Sequence, residues 1–290
     1  MAHNSIAYFH DAIGISTYGT PDPTQLPVAI DIYNNDMHMS GDDFIETDGG
    51  AHNIRVMNNR GTNAAHGGLS SQPVFGGPIY FIRNIIYHVP SGVSFKFSAK
   101  PAGLFVYHNT VISEHVIRDP HSNTHFRNNL FLGSDAVDRG ILALANATSY
   151  SDYDYDGFRP NRNGGGQYAW LSPANPADRI YEPKPDDWKV FSSLAAFQKA
   201  TGQEQHGMEV DYDIFENLQA PDGSKRHAVY HSMDLNFRLK PGAKVIDAGV
   251  RLPTVNDDFA GRAPDLGALE FGKPEPVYGP RSGVKQPFYR

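Results

Sequence analysis

Asparagine returns along this chain at nearly fixed intervals, each time behind a short run of alternating apolar residues. IDIYNN begins at Ile30, IRVMNN at Ile54, IYFIRN at Ile79, LFVYHN at Leu104 and THFRNN at Thr124. The closing residues Asn35, Asn59, Asn84, Asn109 and Asn129 are 24, 25, 25 and 20 residues apart, and Asp11 in IAYFHD extends the series backward by another 24. A unit this short cannot bury an apolar face alone, so it must stack on its neighbours. Stacked as parallel strands about 4.8 Å apart, the copies would bring their asparagines into a side-chain ladder. The expected architecture is an all-β solenoid.

The alternation separates inside from outside. Ile30/Ile32, Ile54/Val56, Ile79/Phe81 and Leu104/Val106 point to a core, and Asp31, Arg55, Tyr80 and Phe105 stand outward in one column. A second strand begins at Ile45, Leu69 and Val93, each 24 residues after the last, and Ile15 fits the same place. Behind it run two outward columns, Ser16/Glu46/Ser70/Ser94 and Tyr18/Asp48/Gln72/Lys96. Beyond residue 135 the spacing fades, which divides the chain into regular rungs over 1–135 and irregular rungs, surface loops and closing strands over 136–290. One short helix is expected in SSLAAFQKATG, capped by serine and closed by Gly202.

Composition narrows the partners. The 28 Gly and 21 Pro suit a turn-rich β protein, and the absence of Cys removes disulfide and thiolate chemistry. A net charge of -7 speaks against general nucleic-acid binding, and no apolar run is long enough to span a membrane. Within GDDFIETDGG, residues 41–50, four carboxylates crowd together without a base. Residues 31–48 hold six acids and no Lys or Arg, whereas 49–130 hold seven Lys/Arg and two acids. Such a division suggests an acidic end beside a basic surface, suited to a long polar polymer bearing carboxylates.

The rungs ending in NN, the segment LAAFQKATGQEQHG followed by VDYDIF, and the ending LNFRLKPGAKVIDAG…APDLGALEFG resemble the right-handed parallel β-helix proteins of the bacterial carbohydrate-active world, the polysaccharide lyases and β-helical glycoside hydrolases. The resemblance implies a right-handed parallel β-helix acting on glycans, in an extracellular or periplasmic setting. It also implies an uncovered first rung, since the chain opens inside one, and an exposed sheet edge there invites self-association.

Three functions follow as expectations. In the first, an extended acidic polysaccharide is cleaved by β-elimination, with Lys96 as base, His66 and Arg118 near the sugar carboxylate, and Tyr18, Gln72, Arg55 and Tyr80 lining the substrate. Asp43, Glu46 and Asp48 would then hold Ca²⁺, which selects oxygen ligands. In the second, Glu46 and Asp48, roughly 7 Å apart on one strand, act as acid and base of an inverting hydrolase. In the third, the solenoid binds glycans or assembles without chemistry. DYDYDG at Asp152 imitates the start of an EF-hand loop, but Asn163 stands where the closing glutamate belongs.

Overall fold

The computed structural model describes residues 1–15, 24, 26–72, 76–90, 92–117 and 119–282. The chain folds as a parallel β-solenoid with three faces. The first sheet carries the strands that precede the ladder, among them Val28–Tyr33, His52–Met57, Ile79–Ile82, Ala102–Tyr107 and Pro120–Arg127. The second follows the ladder with Ser5–Ala7, Asp36–Ser40, Arg60–Ala64, Ile85–Tyr87, Thr110–Ile112, Leu130–Leu132, Gly157–Arg159 and Met208–Glu209. A shorter third sheet holds Ile13–Gly14, Ile45–Glu46, Gly67–Ser70 and Val93–Lys96. The rungs continue past residue 135, through Leu142–Asn146 and Tyr168–Leu171.

The paired asparagines have separate tasks at the corner between the first two sheets. The first of each pair takes the left-handed turn, with φ of 56° at Asn34, 51° at Asn58 and 61° at Asn128, a conformation asparagine tolerates better than most side chains. The second points inward and donates to the next rung: Asn35 Nδ2 to Asn59 Oδ1 (2.8 Å), Asn59 to Asn84 (3.0 Å), Asn84 to Asn109 (3.0 Å) and Asn109 to Asn129 (3.0 Å). Each Oδ1 also accepts the backbone N–H of the preceding ladder residue. All the donors point one way, so the last rung needs only an acceptor. Asp156 supplies it, 2.9 Å from Asn129 Nδ2. At the other end Asn4 takes the first step, 2.9 Å from Asn35 Oδ1, and Asp11, the expected member, lies elsewhere. The DYDYDG carboxylates are likewise spent on the fold: Asp152 pairs with Arg127, Asp154 with His206, and Asp156 ends the ladder.

Two apolar clusters result. Core-facing residues of all three sheets fill the interior, from Ile32 to Phe158. The second sheet is apolar outside as well, through Ile85, Tyr87, Ile112, Leu130 and Leu132, as a strand covered on both faces must be. Its cover is residues 210–278, an irregular layer that buries Val210, Phe215, Phe237, Val245 and Leu266 against it. That differs from the closing strands expected of the ending. The ending runs back along the solenoid instead of closing it, until Tyr278 lies under Arg60 and Gly279 N–H donates to Asn34 O (2.8 Å). Closure falls to the helix Leu194–Thr201, capped by Ser193 and ended by Gly202 as its sequence predicts, with Phe197 packed on Tyr168 and Trp170.

Candidate functional site

The carboxylates of GDDFIETDGG sit along the third sheet, but in a different register from the one expected. Ile13, Ile45, Leu69 and Phe95 pair in sequence, so Lys96 shares a column with Ser70 and Glu46, not with Asp48. The even 24-residue step from Leu69 to Val93 misleads because the partner of Leu69 is Phe95, two residues further on: the step from Asn59 to Asn84 is one residue longer than that from Asn35 to Asn59, and the corner after Asn84 is one residue longer than those after Asn35 and Asn59. Nor is this an open face. Lys96 is 7 % exposed, Glu46 6 %, Asp48 1 % and Asp43 fully buried.

Lys96 reaches back over two rungs to Asp43 Oδ2 (2.6 Å) and Asp42 Oδ1 (3.1 Å), and His66 Nδ1 meets the same Asp42 oxygen at 2.9 Å. Gly67 makes the room, since a Cβ there would lie 1.8 Å from Asp43 Oδ1. Burial pushes Asp43 up to about 7 against the pull of Lys96. Burial also works against the charge on Lys96, but its contacts with Asp43 and Asp42 outweigh it and hold the ammonium above the ordinary lysine range. A base must be unprotonated to take a proton, so this lysine is poorly placed for elimination. Asp48 turns away, accepting from Ser70 Oγ (2.6 Å) and the Gln72 backbone N–H (2.8 Å), and burial raises it to about 6 despite these donors.

The expected calcium set is therefore divided. Asp43 and Glu46 come together with Asp11, one ligand atom from each lying within 4.8 Å of the others, while Asp48 serves the Ser70–Gln72 turn. Calcium takes six to eight oxygens. Here three carboxylates converge and the Lys96 ammonium already rests on Asp43, so these residues fit a divalent ion poorly. Tyr18 and Arg118 lie outside the described residues.

Arg55 and Tyr80 lead to a different place. They line a groove of about 1220 Å³ between the outer face of the first sheet and the returning C-terminal layer. Its floor is the outward column of that sheet. Tyr80 stacks on Phe105 (centroids 5.1 Å) and Phe105 on His125 (5.2 Å), because parallel in-register strands place equivalent side chains one above another. Arg55 holds Asp31 through two bonds of 2.7 and 2.8 Å. Arg83, Arg238 and Lys273 add cations, and Glu216, Asp258, Glu270 and Glu275 add carboxylates. These acids are engaged: Glu275 with Arg238 (2.7 Å), Asp258 with Lys273 (2.9 Å), Glu216 with Asn236 (3.1 Å), and Glu270 with the Ala260 and Asp265 N–H groups. Burial, then the neighbouring Asp265, raises Glu270 above the usual carboxylate range.

The C-terminal wall of this groove escaped the sequence reading, since residues 252–276 carry no strand period that would place them on the first sheet. The charge division misled for a related reason: Asp31–Arg55, Asp36–Arg60 and Asp42–His66 are contacts between consecutive rungs, each spanning 24 residues. An acidic rung lies on a basic one, and the charges are spent on each other. Among the described residues no helix is long and apolar enough to cross a membrane. The chain matches no protein-family model, no curated protein and no solved structure.

Proposed function

We propose that this solenoid is a glycan-binding protein of the carbohydrate-active β-helix kind, seating an extended polysaccharide in the groove over the first sheet. The stacked Tyr80–Phe105 floor, flanked by cations and carboxylates, carries the reading. A sugar chain presents C–H patches and hydroxyls in alternation, and a concave site with aromatic side chains among a few polar groups suits both. The faces of Tyr80 and Phe105 are turned to each other, so the ligand meets ring edges and the Tyr80 hydroxyl. Arg83, whose nearest carboxylate contact is Asp258 at 4.0 Å, extends the fit to uronates.

Binding without cleavage is favoured over elimination or hydrolysis by one observation. Lys96, Glu46 and Asp48 are buried on the third sheet, and none of them lines the groove. Titration calorimetry against acidic and neutral polysaccharides tests the reading. Tyr80→Ala and Phe105→Ala should weaken binding at least about tenfold, as aromatic anchors of a binding site do. Parental affinity in both variants would remove the groove from the proposal. Unsaturated uronate products would restore the lyase, and new reducing ends without them the hydrolase.

A further inference from the structure

The ladder ends on two buried acids. Asp156 and Glu204 are both almost fully buried, and each lies within hydrogen-bonding reach of the other. Asp156 Oδ1 accepts from Asn129 Nδ2 (2.9 Å) and the Asn129 N–H (2.7 Å), and Glu204 Oε2 accepts the Asp156 N–H (3.2 Å). Asp156 Oδ2 and Glu204 Oε1 are buried with no other hydrogen-bond partner. Two carboxylates cannot both be charged in contact inside a protein, and one shared proton satisfies both orphan oxygens at once. The two donors from Asn129 favour the charge on Asp156, so the proton belongs to Glu204, donated toward Asp156.

Glu204 is also where the cap is fastened. It follows the helix Leu194–Thr201 at a left-handed φ of 54°, donates its N–H to Tyr153 O (2.7 Å), and its carbonyl accepts from the Gln198 side chain and the Gly207 N–H. Met208 N–H then reaches Asp156 O (2.9 Å), where the last strand of the second sheet begins. We propose that Asp156 and Glu204 form a proton-sharing lock that holds the helical cap on the end of the solenoid and releases it as pH rises. Opening lets water reach both acids, which then ionise at ordinary carboxylate values and shed the shared proton. Release uncovers Phe197, Tyr168 and Trp170, which close the interior at this end.

Few other charges face the pair. Arg127 on the first sheet is taken by Asp152, and Asp154 on the same loop is taken by exposed His206. The Tyr153 hydroxyl donates to Asn146 Oδ1 (2.6 Å), and burial keeps the phenols of Tyr153 and Tyr168 protonated well above the usual range. Among the described residues no basic side chain makes a hydrogen bond or ion pair with either acid.

Hydrogen exchange of the whole protein, read by mass spectrometry over residues 194–208 and corrected for the intrinsic pH dependence of exchange, tests the lock. A native state holding one more proton than the open state makes opening grow about tenfold for each pH unit, here expected between pH 7 and 9. Glu204→Gln places a permanent donor against Asp156 and should leave corrected rates independent of pH. Asp156→Asn, which keeps the acceptor for Asn129 and offers an amide to Glu204, should do the same if the first variant folds poorly. His206→Gln should keep the parental slope, which separates the lock from histidine titration. Flat corrected rates in the parent, a parental slope in either Glu204→Gln or Asp156→Asn, or a lost slope in His206→Gln would overturn the proposal.

Discussion

Asn84→Leu removes the middle of the ladder with little change in side-chain volume. Four hydrogen bonds go with the amide. Two are its own donations, to Asn109 Oδ1 (3.0 Å) and Val56 O (2.9 Å), and two are received from Asn59, through its backbone N–H (3.1 Å) and its Nδ2 (3.0 Å). Two of the groups left behind keep a partner, since Asn59 Nδ2 also reaches Ile32 O and Asn109 Oδ1 still accepts the backbone N–H of residue 84. The Asn59 N–H and Val56 O lose the bonds that Asn84 provided them inside the turn. At about 1 to 3 kcal/mol for each buried group left unmatched, the loss is about 2 to 6 kcal/mol, which the buried leucine methyls offset only in part. Asn4→Leu is the internal comparison. Its amide faces outward, bonding only Ala2 O and Asn35 Oδ1, and the same change there should cost under about 1 kcal/mol. Thermal or urea melting of the two variants measures the difference. Equal and small losses would mean that the ladder contributes no more inside the stack than at its edge.

Lys96→Ala strands the buried Asp43 carboxylate and should cost about 3 to 5 kcal/mol in denaturant melts, whereas Lys96→Ala with Asp43→Asn should recover much of it. Because burial raises Asp43 to about 7 and Asp48 to about 6, folded protein binds more protons at these sites than unfolded protein. Their contribution to stability is therefore greatest below about pH 4 and declines as pH rises toward 7, and Asp43→Asn should flatten melting temperature over that window. Gly67→Ala drives a methyl into Asp43 Oδ1, so it should melt well below the parent; a shift within error would mean that the carboxylate has another place to go. Ser193→Ala removes the acceptor of the Ala196 N–H and should cost about 1 kcal/mol, seen as faster exchange in the helix.

The solenoid and its ladder were legible because both are local and periodic: a repeat of 24 or 25 residues, alternating apolar positions and NN pairs leave stacked parallel strands as the arrangement that buries every copy alike. The helix Leu194–Thr201 was legible through its serine cap and closing glycine. Register within the third sheet was not, since two added residues, one in the step from Asn59 to Asn84 and one in the corner after Asn84, move Lys96 from the column of Asp48 to that of Glu46, and corner length leaves no periodic trace. Tertiary structure alone decided which charges meet. Asp31 with Arg55 and Asp36 with Arg60 lie 24 residues apart in sequence and one rung apart in space, so an apparent charge gradient became a set of ion pairs. It also decided where the groove lies. The second sheet is apolar on its outer side, the C-terminal layer must cover it, and only that return path sets Phe271, Lys273 and Glu275 opposite Tyr80 and Phe105.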